Sequence, residues 1–174
     1  MARNYAEVLF DLGERSGQTD HYYDLLDATA AAVDQSPEVE LVMMSPRVPK
    51  AEKARLLSAA LADAAPREFV LFIEAVVKRG RQGLFREMAT ELQTLVDVKQ
   101  NRIRAGVTLA RVPDEQLRDE ITRSLAAALG KDVIATFYTD PAILGGSVVR
   151  VGERIFDGSV RRRLANLRRH LIQR

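Results

Sequence analysis

Residues 143–167, ILGGSVVRVGERIFDGSVRRRLANL, concentrate the two residue types with which proteins most often grip phosphate. Glycines let a backbone approach an anion closely, and arginines neutralise it. The spacing rejects that chemistry. Gly145, Gly146, Gly152 and Gly158 fit neither G-x-G-x-x-G nor G-x-x-x-x-G-K-[ST], and the stretch holds no lysine. Other chemistries fail on the same test. The chain has no Cys, which removes disulfides, thiolate catalysis and zinc-thiolate sites. His21 and His170 stand in no metal-ligand spacing, so no metal is expected. No acid pair, Ser/His arrangement or H-E-x-x-H lies at a catalytic spacing, and the acids of EKARL and EMATE read as surface charge on helices. The expectation is a protein that is not an enzyme and needs no cofactor.

Read as structure, the same stretch makes more sense. SVVRV and RIFDG are short β-rich runs separated by Gly152-Glu153, and glycine at the first turn position suits a type II′ hairpin. Gly145-Gly146 can bend the chain sharply into a sheet, because glycine takes positive φ without penalty. Asp157 or Ser159, flanking Gly158, can cap a final helix. In that helix Val160, Leu164, Leu167 and Leu171 form a narrow apolar stripe, with Arg161, Arg162, Arg163, Arg168 and Arg169 on the other faces. Two readings fit the arginines: a solvated face near a helix C-terminus, or a partner contact.

The charge balance sharpens the point. Of 26 basic residues, six are arginines after Ser159, where there is no acid; the remaining 20 face 24 acids, a net of −4. The basic character therefore sits in one terminal helix, which argues for a local contact patch and against a protein that wraps duplex nucleic acid. The N-terminus lacks the apolar core of a secretory signal and carries acids unlike a transit peptide, and no apolar run is long enough to span a bilayer.

These residues must be positioned by a chain that is helical for its first hundred residues. Residues 4–12 place Tyr5, Leu9 and Leu12 on one face with Ala6 beside them, and residues 13–20 form a polar turn around Gly17. Residues 20–33 make a second helix that Asp20 can cap; a short helix starts at Pro37 and another near Lys50. Pro66 opens the most apolar one, with Phe69, Phe72, Ile73, Val76 and Val77, which KRGRQG breaks before a long helix running to about residue 102. The period then changes. RAGVTLARV reads as a strand, Pro113 opens a helix closed by Gly130, and DVIATFYTD is a second strand. The predicted fold is α+β in two domains: a six-helix antiparallel bundle over residues 1–104, then a small α/β domain over 105–174 with a hairpin and a terminal helix.

In this order, YAEVLFDLG, MSPRVPKAEKARLL, FVLFIEAVVKRGR and DPAILGGSVVRVGERIFDGSVRRRLANL resemble the delta subunit family of F-type ATP synthases, which includes the mitochondrial oligomycin sensitivity-conferring protein. The resemblance covers essentially the whole chain. It implies a non-catalytic stator component that ties the catalytic head to the peripheral stalk and resists rotor torque. The N-terminal bundle would receive the N-terminal helices of head alpha subunits, through a groove using Tyr5, Ala6, Leu9, Phe69, Ile73, Val76 and Arg79. The C-terminal domain would engage the stalk's b subunits through Val160, Leu164, Leu167, Leu171 and Arg168, while Gly145, Gly146, Gly152, Asp157, Gly158 and Ser159 serve turn and cap. Arg79 stands where many relatives carry Asn, so with Arg81 nearby the guest here is expected to be more acidic. The protein would reach a membrane only through the complex, peripherally on the cytoplasmic face of a bacterial plasma membrane.

A rival reading makes the arginine helix a nucleic-acid binder with the bundle as an oligomerisation module. The chain has no Trp and is only 6% aromatic, so the stacking platforms of single-strand binders are missing.

Overall fold

The structure is a computed structural model that describes residues 1–165. It divides into two compact units, Met1–Asp97 and the residues from Val98 onward. The last turn of the sixth helix goes with the second unit, so this division falls earlier in the chain than 104/105.

The first unit contains α1 (Ala2–Ser16), α2 (Thr19–Gln35), α3 (Pro37–Met44), α4 (Lys50–Leu61), α5 (Arg67–Lys78), a 3-10 turn (Gln82–Leu84) and α6 (Phe85–Lys99). Its core is built from one face of each long helix. Leu9 of α1, Tyr22 and Leu26 of α2, Phe69, Ile73, Val76 and Val77 of α5, and Phe85, Met88 and Leu92 of α6 are sealed from solvent. Between α2 and α6, Arg86 bridges to Asp27 at 2.8 Å and Asp34 at 2.9 Å on the surface.

Two local features depart from the sequence expectation. Residues 13–20 are not one polar turn: α1 continues through Gly13 to Ser16 and ends at Gly17 in the left-handed region, where the Gln18 N–H reaches the Gly13 carbonyl. The helix can continue because Gly13 is buried against the start of α2. A Cβ there would lie 2.7 Å from Thr19 Cα, so only glycine permits the approach. Nor does Asp20 cap α2. Gln18 holds the cap position without a side-chain bond, and Asp20 falls in the first turn, where its charge favours the helix N-terminus. At α3 the usual device is present, with Pro37 leading and the Ser36 hydroxyl accepting from Val39 N–H at 3.5 Å.

Lys53 of α4 is only 4% exposed. Its ammonium donates to the Met43 and Ser45 carbonyls, each at 2.7 Å, and the Gln82 amide donates to the same Met43 carbonyl at 2.8 Å. A helix leaves its last carbonyls without intrahelical partners, and a buried cation meets both that need and the negative end of the dipole. Lys53 thus fastens the end of α3, the connection after it and α4 together.

The second unit contains β1 (Arg102–Leu109), α7 (Glu115–Leu129), β2 (Asp132–Thr139), a 3-10 turn (Pro141–Ile143), β3 (Ser147–Val151) and β4 (Arg154–Asp157), and it is helical again over 160–165. The sheet order is β2-β1-β3-β4. Strand β1 runs parallel to β2 and antiparallel to β3, which pairs antiparallel with β4. The parallel pair needs a crossover, and α7 supplies it. Asp114 caps α7 by accepting from Leu117 N–H at 2.8 Å, and Ile121, Leu125 and Leu129 pack on Ala105, Val107, Val149 and Val151.

The glycine stretch is a crossing of two backbones. Val151 pairs with Arg154 around Gly152-Glu153; φ is +57° at Gly152 and not positive at Glu153, the combination of a type II′ turn. After β4 the chain passes over the entrance to β3. Gly158 N–H donates to the Ser147 carbonyl at 2.9 Å, and Val160 N–H donates to the Gly145 carbonyl at 3.0 Å. Gly146 sits at φ +78°, and a Cβ on it would lie 2.5 Å from the Gly158 oxygen. Two caps follow in series: Ser159 N–H donates to Asp157 Oδ1 at 2.9 Å, and Ser159 Oγ accepts from Arg162 N–H at 3.2 Å. The Ser159 hydroxyl and backbone N–H, with a smaller effect from Arg162, hold the Asp157 carboxyl below the usual carboxylate range.

Three outcomes are expected. Lys53→Met should cost about 2–4 kcal/mol in denaturant unfolding, because two buried carbonyls lose a charged donor; a loss under about 0.5 kcal/mol would contradict the fastening role. Gly146→Val combines a positive φ with a backbone overlap and should destabilise the second unit by at least about 2 kcal/mol, visible as a lowered thermal transition. An unchanged transition would show that the crossing is not tight. A carboxyl lowered in the native state adds stability that is fully present above its unfolded pKa, about 3.9, and is lost as pH falls through the native value. Asp157→Asn should therefore lose less stability than wild type on acidification from pH 5 to below about 3, and equal losses would refute the assignment.

Candidate functional site

A groove of about 970 Å³ lies between α1 and α5 of the first unit. Asn4, Tyr5, Val8 and Leu12 form its α1 wall; Glu68, Leu71, Phe72 and Ala75 form its α5 wall, and Arg79 and Arg81 follow at the end of α5. The stripes explain themselves by helical phase. Ala6, Leu9 and Gly13 take the inward face of α1, leaving Tyr5, Val8 and Leu12 on the adjoining one. On α5 the apolar arc is wider than a core-facing helix requires. Phe69, Ile73, Val76 and Val77 go inward, and Leu71 and Ala75 remain on the flank. Phe72 serves both, at 7% exposure, with its ring edge-on to Tyr5 at a centroid distance of 6.3 Å. Val8 and Leu71, each 53% exposed, and Met1, 75% exposed, are large apolar groups of the groove that water still covers.

Of the head-facing residues read from the sequence, the groove contains Tyr5 and Arg79. Ala6, Leu9, Phe69, Ile73 and Val76 are all at 0% exposure and fill the unit's own core. They cannot meet a guest in this conformation, and the correction has a simple cause: the strongest apolar stripe is the one the bundle uses for itself. Val8, Leu12, Leu71, Phe72 and Ala75 line the groove as well, and so does Arg81, already expected beside Arg79. The available signal was the extra width of the apolar arc, which extends Tyr5 to Val8 and Leu12 at i+3 and i+7.

Charge marks the groove's ends. Glu68 lies in the first turn of α5, and Arg79 and Arg81 lie beyond its last. Arg79 donates weakly to the Ala75 carbonyl at 3.5 Å. Among the described residues none of the three forms an ion pair, whereas the neighbouring Lys78 is held by Glu74 at 2.7 Å.

In the second unit, Gly145, Gly146, Gly152, Asp157, Gly158 and Ser159 all fall in the turn, the backbone crossing and the cap. Val160 and Leu164 are 39% and 54% exposed, so at these positions the apolar stripe is not spent on the home sheet. Leu167, Leu171 and Arg168 lie outside the described residues. Among the described residues no three His, Asp or Glu side chains gather as a metal would require, and no helix is long and apolar enough to cross a membrane.

Residues 1–171 match the family described as ATP synthase delta (OSCP) subunit. The ATP synthase subunit delta of Gemmatimonas aurantiaca is 39% identical over 171 residues, covering 98% of this chain and 92% of that one. That of Desulforamulus reducens is 30% identical over 174 residues, covering 100% and 96%. The fold is also found in a solved chain of the Toxoplasma gondii mitochondrial ATP synthase hexamer, at 21% identity and a TM-score of 0.70, with 99% of this chain and 97% of that one covered. None of these matches lends support to the nucleic-acid reading. A family match across nearly the whole length, with relatives of matching length, means that the chain belongs to the ATP synthase delta (OSCP) subunit family, a non-catalytic structural subunit of the F-type ATP synthase.

Proposed function

We propose that this subunit is the joint between the catalytic head and the peripheral stalk, holding the head still while the rotor turns. In this role the first unit receives the N-terminal helix of a head alpha subunit in the α1–α5 groove, and the second engages the stalk's b subunits. The protein would sit peripherally on the cytoplasmic face of a bacterial plasma membrane, bound to it only through the complex. The observation that carries the reading is the groove itself: an open trough with an apolar middle, walled by two helices, with Val8 and Leu71 half exposed. Such a trough suits an amphipathic helix laid in by its apolar face. For the stalk, the exposed Val160 and Leu164 among the arginines 161–163 offer an apolar contact inside a basic field, which would draw an acidic stalk end by long-range attraction.

The test is a titration of the full chain with a synthetic peptide from the start of a head alpha subunit, followed by tyrosine fluorescence, since Tyr5 lies in the groove. Saturable one-to-one binding is expected. Val8→Glu should weaken it about tenfold or more by placing a charge against the guest's apolar face, with the melting transition unmoved because Val8 is outside the core. No binding by the folded wild-type chain would refute the head contact.

A further inference from the structure

A helix laid into a symmetric apolar groove can lie in either direction. This groove is not symmetric. From Glu68 to Arg79 the axis of α5 rises about 16 Å, roughly three turns of a guest helix. The acid at one end has no ionic partner among the described residues, and neither have the two arginines at the other. Lys50 reaches the arginine end as well, with its Nζ 3.1 Å from where a Cβ of Gly80 would lie. Lys78 is spent on Glu74 and Arg3 on Glu7 at 3.1 Å, and Met1, with the chain's α-amino group, also lines the groove. The middle, between Val8 and Leu71, is apolar.

Resting on the groove reading above, we infer that Glu68 at one end and Arg79 with Arg81 at the other read the direction of the guest. The guest is an amphipathic helix with acidic side chains at the arginine end, a basic side chain at the Glu68 end and apolar anchors between. A guest laid in backwards brings acid to Glu68 and base to the arginines, so each end repels it. The apolar contacts hold the guest and the two ends orient it. Single exposed ion pairs are weak. Several acting together, beside a surface the guest dehydrates, are enough to choose between two orientations of one helix.

The experiment uses the full chain and designed helical peptides of about 16 residues that share one apolar stripe. One carries two Glu in its last turn and two Lys in its first; a second has Lys for those Glu; a third has Glu for those Lys. Binding is measured by calorimetry at low salt. For wild type the first peptide should bind most tightly. R79E/R81E should weaken it about tenfold and should in turn favour the second peptide. Glu68→Lys should make the corresponding change in favour of the third. These preferences should shrink in about 0.5 M salt. Leu71→Glu is the control for the groove and should abolish binding of all three at any salt. If Leu71→Glu abolishes binding but the charge reversals move every affinity less than about twofold, the directional reading is overturned and the groove stands. If Leu71→Glu leaves binding intact, the peptides sit elsewhere and both readings fall.

Discussion

Burial of α5 is the constraint on which the first unit depends. Phe69, Phe72, Ile73, Val76 and Val77 of this one helix meet α1, α2 and α6 residues in a single core. Each such side chain contributes roughly 1.5–3 kcal/mol when removed from water. The aromatic contacts Tyr22–Phe69 and Tyr5–Phe72 fix its rotation. Once that rotation is set, the fate of Leu71 and Ala75 is set too, and with α1 they become the wall of a groove. The groove floor is thus the back of the core. A packed core does not deform continuously, so a guest meets a surface already shaped and loses little free energy to rearrangement.

The second unit solves a different problem. The four-stranded sheet, on which α7 packs, has a modest core of Ala105, Val107, Leu109, Val149 and Val151. Its chain must also leave β4 and begin a helix without stranding backbone groups. Crossing over the entrance to β3 does both, because each strand end supplies the partner the other lacks. The glycines there make room for backbone, and the arginines follow on the helix beyond the crossing. Their proximity in sequence is what makes the stretch look like a phosphate site, and the geometry separates them.

Several polar side chains of the first unit serve as caps and fasteners. Lys53, the one buried cation among the described residues, ties backbone to backbone. Ser58 donates to Glu74 at 2.8 Å between α4 and α5, and together with Lys78 it keeps that carboxyl below its ordinary range. In the proposed joint, affinity resides in the apolar trough and selectivity in its charged ends, so each can be altered without the other.

The sequence by itself determined the order and type of nearly every element, because helix and strand periods, prolines at helix starts and glycines at helix ends act over a few residues. The hairpin turn and the Ser159 cap were legible for the same reason. Tertiary structure alone decided which apolar stripe of α1 and α5 faces inward, and so placed in the core five of the seven residues expected to face the head. A period tells that a helix has an apolar face and how wide it is; its rotation depends on neighbours distant in sequence. The run of α1 past Gly13, the burial of Lys53 and the crossing at Gly146 were hidden likewise. Each depends on a contact, with Thr19, Met43 and Gly158 respectively, whose distance no local pattern encodes.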